Sequence, residues 1–208
     1  MKTLVEHLSQ YAAYHRDPRN IVTHFVGIPM IVVAVTVLLS RPGVAVAGMW
    51  LSPAVLVALA TAWFYLRLDQ RFGLIMALLL GLCLWAGQAL AVQSTLVWLG
   101  AGLGLFVVGW AIQFVGHYYE GRKPAFVDDV SGLIIGPLFV VAELAFLLGL
   151  CPELKRAMER NAGPVACPAK TITPSTRPPA HPTPTLPGGR WHWPPECRSR
   201  SRSASALP

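Results

Sequence analysis

The chain has 208 residues, of which 54% are hydrophobic and only 13% are charged. Soluble domains carry about 25% charged residues, so the composition excludes an ordinary soluble protein and indicates surface that faces lipid. The formal net charge is +7. Residues 1–152 are nearly neutral, with eight Lys/Arg against seven Asp/Glu, and the basic excess lies in residues 153–208. Because the basic charge is confined to the tail, we expect no nucleic-acid partner.

The first 15 residues predict a short amphipathic helix, because Leu4, Leu8, Tyr11 and Tyr14 recur at roughly helical spacing. Pro18 ends this helix, since a residue before proline is pushed out of the helical region. We expect the helix to lie flat on the cytoplasmic membrane surface.

Four apolar segments follow, each close to the roughly 20 residues that a helix needs to cross a bilayer. They are Phe25–Leu39 (extended back through Ile21 and Val22), Ala45–Leu66, Phe72–Val92 and Leu96–Gly116. Pro53 is expected to kink the second segment. Gly100, Gly102, Gly104 and Gly109, with the pair Gly132 and Gly136, are expected to allow close helix contact.

A fifth apolar segment, Gly132–Leu150, contains Pro137 and Glu143, and a carboxylate is costly in hydrocarbon. With four spans and a cytoplasmic N-terminus, the loops up to Lys123 place seven Lys/Arg on that side and only Arg41 opposite, as the positive-inside rule requires. A fifth span would place the next basic residues outside. The sequence therefore predicts an all-α integral membrane bundle of about four transmembrane helices, with a re-entrant or interfacial fifth apolar helix.

The end of the chain has a different composition. From Asn161 onward, 11 of 48 residues are proline, and Ser, Thr and Arg fill much of the rest. Such a composition cannot build a packed core. We therefore divide the chain into a membrane domain, residues 1–152, and a disordered tail, residues 153–208. His181 and His192 lie in the tail and are excluded from any site.

Two polar clusters lie at predicted helix ends. The first contains His15, Asn20 and His24. On one continuous helix the two histidines would lie on opposite faces, but the break at Pro18 allows a turn to bring His15 back toward His24. Asn20 and His24 are four residues apart and share a helix face.

The second cluster contains Gln113, His117 and Glu120 on one helical stripe, followed by Asp128 and Asp129. In a four-span topology both clusters reach the same membrane face. Three imidazoles with a carboxylate are a ligand set for non-haem iron that zinc or manganese also accepts. The alternative for any one histidine is a hydrogen-bonded contact at the membrane interface, and His7 is assigned to that class.

The sequence resembles the fungal-type 2-hydroxy fatty acid dioxygenases, a small family of multi-pass membrane proteins. The resemblance lies in two motifs: Tyr14-His15…Asn20…His24-x-x-Gly27-x-Pro29 and Gln113-Phe114-x-Gly116-His117-x-x-Glu120-x-x-x-Pro124-Ala125. It covers about residues 1–150, and the tail departs from the family. The resemblance implies an Fe(II)-dependent enzyme that uses O2 to shorten 2-hydroxy fatty acids by one carbon, an α-oxidation step in phytosphingosine breakdown.

The resemblance also implies residue roles. His15, His24 and His117 would be iron ligands or essential neighbours, with Glu120 as the next ligand. Asn20 and Gln113 would orient the ligand rings, and Asp128 occupies a position where a polar residue is expected; Asp129 is a weaker candidate.

Two other functions remain open from the residues alone. One is another metal-dependent lipid-modifying enzyme, such as a hydroxylase. The other is a non-enzymatic scaffold or transporter that uses its histidines as interfacial anchors. We expect no cleavable leader in the first 20 residues. A bacterial inner membrane or an endoplasmic reticulum would suit the chain, and we expect the active site on the cytoplasmic side.

Overall fold

The computed structural model describes residues 2–47, 49–121, 131–163 and 165. Within these ranges the elements are α1 (Leu4–Ala12), α2 (Pro18–Ser40), β1 (Val44–Val46), β2 (Met49–Leu51), α3 (Pro53–Leu68), α4 (Gln70–Ala91), α5 (Thr95–Glu120), α6 (Ser131–Leu147) and α7 (Pro152–Ala162). The prediction of an all-α membrane bundle is confirmed.

Three helices are long and apolar enough to cross a membrane, namely α2, α4 and α5. Large apolar side chains on them point away from the protein: Leu78 and Trp85 are each 69% exposed and Leu96 is 84% exposed. Because exposing this much apolar surface to water is unfavourable, these faces are the lipid-facing side of the bundle.

The predicted second span, Ala45–Leu66, is wrong as a single helix. Its first part is a two-stranded hairpin in which Val44 pairs with Leu51, and α3 starts only at Pro53. Pro53 therefore occupies the first helical turn after Ser52 instead of kinking a helix, a position where its missing N–H costs nothing. The 16 residues of α3 rise about 24 Å, less than the roughly 30 Å hydrocarbon core.

The direction of the helices requires α3 to return the chain to the starting side of α2. Gly87, near the end of α4, lies against Ser40 at the end of α2, so α2 and α4 run parallel. The α5 helix runs antiparallel to α2, because Gly116 lies against Asn20 whereas Gly102 lies against Leu38. The beginning of α2 and the end of α5 thus meet at one end of the bundle.

Glycines allow α2 and α5 to pack closely. A Cβ on Gly27 would lie 2.9 Å from the Gly109 carbonyl oxygen, and one on Gly109 would lie 3.1 Å from the Gly27 oxygen. The expected contact role is confirmed for Gly102 and Gly109. It is wrong for Gly100 and Gly104, where an added Cβ would meet no described atom within 4 Å.

The break between α1 and α2 is confirmed, but α1 ends at Ala12 instead of continuing to residue 15, and Pro18 begins α2. A capping box between Thr3 and Glu6 begins α1. Asp17 caps α2 by accepting the Arg19 N–H, and Pro18 occupies the first turn. Hydrogen bonding to Arg19 lowers the pKa of Asp17, so this cap is ionised at neutral pH.

The last two helices meet at a sharp bend of 119°, as in a broken span or a re-entrant hairpin. Glu143 on α6 lies within electrostatic reach of Lys155 and Arg16, which offset only part of the cost of burying its carboxylate. Whether α6 crosses the membrane stays a prediction.

The predicted boundary at residue 152 places α7 in the disordered tail, and for this helix the prediction is wrong. Met158 of α7 is 2% exposed in the core formed with α1 and α6, and the Arg16 guanidinium donates to the Gly163 carbonyl. The remainder of the tail, with His181 and His192, lies outside the described residues.

Candidate metal centre

Three histidines converge at the end of the bundle where α2 begins and α5 ends. The ring centroids are 4.4 Å apart for His15 and His24, 5.1 Å for His15 and His117, and 5.2 Å for His24 and His117. Each offers a nitrogen within 4.8 Å of those of the other two. All three are buried, with exposures of 1%, 2% and 7% in chain order. The turn at Pro18 does bring His15 to His24, as predicted from the sequence.

Two of the rings are oriented by backbone carbonyls four residues earlier. Nδ1 of His15 lies 2.7 Å from the Tyr11 oxygen, and Nδ1 of His24 lies 2.8 Å from the Asn20 oxygen. Since a carbonyl only accepts, each Nδ1 carries the proton and each Nε2 keeps its lone pair. Metal-binding histidines are typically held this way, by a hydrogen bond at the nitrogen that does not bind the metal.

Burial also keeps His15 neutral. Desolvation lowers the pKa of His15 to about 3, against a smaller opposing effect of its hydrogen bond to Tyr11. At neutral pH its Nε2 is therefore unprotonated and has a lone pair that can bind a metal ion. Among the described residues, Nε2 of His15 and Nδ1 of His117 are buried and have no hydrogen-bond partner.

An aromatic wall formed by Tyr11 and Phe139, neither of which is among the predicted site residues, supports the cluster. Tyr11 stacks on His15 with centroids 4.2 Å apart and an 11° interplanar angle, and its ring lies 5.0 Å from that of Phe139. Burial raises the pKa of Tyr11, so its hydroxyl stays protonated. The i, i+4 spacing of Tyr11 and His15 is the signal in the sequence that indicates this contact, although Tyr11 also fits the amphipathic face of α1.

Glu120, on the last turn of α5, holds the turn between α1 and α2. Its carboxylate accepts the Arg16 N–H at 2.9 and 3.0 Å and the Asp17 N–H at 2.8 Å. The Asn20 amide also donates to it, at 3.1 Å. Glu120 is not among the described residues that present ligand atoms to one another. Its role as a ligand stays a prediction, and its contacts are those of a clamp on the segment that carries His15.

The remaining predicted site residues are divided between the site and the undescribed part of the chain. Asn20 is fully buried and contacts the site twice, through its carbonyl to His24 and its amide to Glu120. Gln113 is 4% exposed, and its amide nitrogen is near Gly27 without a hydrogen-bond partner among the described atoms. Asp128 and Asp129 lie outside the described residues. His7 is away from the cluster, with its ring 6.0 Å from that of Phe64.

The donor set fits a divalent transition metal. Three neutral imidazoles suit iron, zinc or manganese, and a site with few protein ligands leaves coordination positions for other molecules. Buried nitrogens without partners are costly unless something binds them, and here two of them lie within one cluster of three rings.

A comparison with known proteins identifies the family. The family model described as "2-hydroxy-palmitic acid dioxygenase Mpo1-like" matches residues 1–148. The chain belongs to the Mpo1-like family. A Mpo1-like relative from Saccharomyces cerevisiae, 2-hydroxy-palmitic acid dioxygenase MPO1, is 32% identical over 156 residues, which cover 74% of this chain and 86% of the relative. No solved structure matches the chain. The Mpo1-like match includes all three histidines and ends just after α6, so the family expected from the motifs is confirmed.

Proposed function

We propose that this protein is an Fe(II)-dependent dioxygenase that converts a 2-hydroxy fatty acid into the fatty acid one carbon shorter. The observation that carries the proposal is the buried cluster of His15, His24 and His117, whose nitrogens lie within 4.8 Å of one another. The name of the yeast relative, 2-hydroxy-palmitic acid dioxygenase, supports this class of substrate.

The proposed reaction balances with one molecule of O2. The bond between C1 and C2 of the 2-hydroxy acid breaks, C1 leaves as CO2, and C2 is oxidised from an alcohol to a carboxylic acid. This oxidation removes four electrons, which O2 accepts. One of its oxygen atoms is needed for the new carboxyl group and the other leaves as water, so no separate reductant is required.

His15, His24 and His117 would hold the iron. When bound, it supplies the oxygen chemistry and a site that the substrate carboxylate and 2-hydroxyl can chelate. The chain's own residues orient the rings through the carbonyls of Tyr11 and Asn20. Tyr11 and Phe139 pack against the His15 ring and shield it from water.

The membrane topology is part of the proposal. The antiparallel arrangement of α2 and α5 supports four crossings, with α3 as the short second one. The excess of Lys and Arg in the loops on the side of the histidine cluster supports a cytoplasmic position for it. In a cysteine-free background, Arg71→Cys should react with an impermeant thiol reagent from the cytoplasmic side and Arg41→Cys from the opposite side. Labelling of both from one side would contradict this topology.

Product analysis tests the activity. Purified full-length protein with Fe(II), O2 and 2-hydroxypalmitate should release pentadecanoic acid and CO2 in equal amounts, measured by mass spectrometry. A hydroxylated product that keeps all its carbons would instead favour the hydroxylase alternative. Absence of any product from the metal-loaded protein would contradict both enzymatic functions.

Metal analysis tests the site separately. The wild type should bind one equivalent of iron, and the substitutions His15→Ala, His24→Ala and His117→Ala should each lower the bound metal. His7→Ala is the matched control, because His7 lies outside the cluster. A folded His24→Ala protein that keeps its full metal content would favour the scaffold alternative.

A further inference from the structure

A cavity extends from the histidine cluster into the membrane-embedded part of the bundle. It lies between α2, α5 and α6 and is open on one side, with a volume of about 450 Å³ that includes this open part. His24, His117 and Gln113 line it at the cluster end. The cavity is therefore continuous with the candidate metal centre.

The lining becomes apolar with distance from the cluster. Along α2 the lining residues after His24 are Ile28, Ile31 and Val32, at positions i+4, i+7 and i+8 of one helical stripe. The stripe extends about 12 Å along the helix axis, at 1.5 Å per residue. Trp110 of α5 faces the same space. A molecule that fits this cavity has a polar, metal-chelating end and a long apolar body.

Two glycines in the α6 wall, Gly132 and Gly136, help to keep the cavity open. Gly136 lines it, and a Cβ there would come within 3.0 Å of the Tyr11 hydroxyl oxygen and 3.1 Å of Ile28 Cδ1. Leu133, one turn earlier on α6, also lines the cavity and is 49% exposed. The cavity therefore reaches the outer face of the bundle beside α6, on a helix whose exposed residues are apolar.

We infer that this cavity binds the alkyl chain of the 2-hydroxy fatty acid and that Ile31 and Val32 at its far end set the preferred chain length. The inference rests on the proposed function, because it takes the chelating headgroup to lie at the histidines. The lining changes from imidazole and amide groups at the cluster to Ile, Val and Trp side chains farther away. This change in polarity suits an amphiphile with a polar head and an apolar chain, and it does not suit a ligand that is polar throughout. Leu133 marks the side on which the chain enters from the lipid.

The contribution of the buried methylene groups can be measured as a change in kcat/KM. Each methylene moved from water to an apolar site contributes about 0.8 kcal/mol, or roughly fourfold in kcat/KM. Val32→Trp fills the far end of the cavity and displaces the end of a long chain. If two methylenes are displaced, kcat/KM for 2-hydroxypalmitate should fall by roughly 16-fold relative to that for 2-hydroxyhexanoate, whose short chain does not reach Val32.

The experiment compares this ratio between variants, because long-chain acids partition into detergent and an absolute rate would mix both effects. Val26→Trp is the matched control: it is the same substitution on the same helix, but Val26 is 51% exposed and does not line the cavity. It should leave the ratio at the wild-type value. Val32→Ala enlarges the cavity and should move the optimum to longer chains, which keeps the test decisive if Val32→Trp does not fold.

The outcomes separate the two proposals. A wild type without product on any chain length contradicts the proposed function itself. An active wild type whose chain-length ratio is unchanged by Val32→Trp and Val32→Ala contradicts the cavity as the alkyl site.

Discussion

Glu120→Gln distinguishes a clamp from a metal ligand. The Glu120 carboxylate accepts hydrogen bonds from three donors in the segment that carries His15: the backbone N–H groups of Arg16 and Asp17 and the Asn20 amide. Hydrogen bonds to a charged group contribute about 1.5–3 kcal/mol each when buried. Because Glu120 is partly exposed and water can replace some of them, we expect Glu120→Gln to cost about 2 kcal/mol. In a protein of this size that lowers Tm by roughly 4–8 °C.

The assay is thermal unfolding in detergent after complete metal removal, because a ligand and a clamp differ most in the metal-free protein. A clamp is needed without metal, so Tm of the metal-free variant should fall. A carboxylate whose only role is to bind iron would leave that Tm unchanged. Glu153→Gln is the control, since this carboxylate is 81% exposed and its ion pair with Arg156 contributes little.

A spectroscopic measurement completes the test. The absorption bands of the Co(II)-substituted protein depend on the coordinating atoms, so a clamp variant should keep the wild-type spectrum. An altered spectrum together with an unchanged metal-free Tm would refute the clamp and restore Glu120 as a ligand.

Three further changes have expected outcomes. Gly116→Ala places a methyl group against side-chain oxygens of α2 and should lower the free energy of unfolding by about 1–3 kcal/mol. Gly104→Ala on the same helix is the control and should be neutral or stabilising by up to about 1 kcal/mol. Equal Tm shifts for the two variants would contradict this packing. Hydrogen bonds from Thr3 hold the pKa of Glu6 below 4.5. The contribution of Glu6 to stability is therefore full above pH 4.5 and is lost as the pH falls through the lowered pKa. A Tm difference between wild type and Glu6→Ala that stays constant with pH would argue against the capping box. When the free metal concentration is 100 times the Kd, chelation of the metal should lower the free energy of unfolding of the wild type by about 2.7 kcal/mol. The stability of His24→Ala should not change on chelation. A wild-type Tm that is insensitive to EDTA would contradict the metal centre.

The sequence predicts those features that depend on local chemistry. The helix break at Pro18 follows from the backbone restriction that proline imposes, and α2, α4 and α5 follow from the length of their apolar runs. The meeting of His24 and His117 follows from topology alone, since an even number of passes returns the chain to one face.

Other features depend on tertiary contacts that a local pattern does not contain. The residues from Val44 to Leu51 are as apolar as a span, and only their pairing makes them a hairpin. The α7 helix is strongly charged, and the burial of Met158 against the α1 core is what fixes it. Glu120 shares a helical stripe with Gln113 and His117, and this pattern and the family resemblance favour a ligand role. No local pattern indicates its hydrogen bonds to backbone groups about 100 residues earlier.

The three histidines are positioned by supports of unequal strength. His24 and His117 belong to α2 and α5, whose spacing is fixed by glycine contacts along the whole seam. His15 lies outside any helix, and its position depends on the stacking of Tyr11 and on the Glu120 clamp. Since local unfolding begins where the fewest contacts hold the backbone, His15 is the donor that moves first when the site opens. Tyr11 of α1 also lines the cavity proposed for the alkyl chain, so we expect loosening of α1 to open the metal centre and the chain site together.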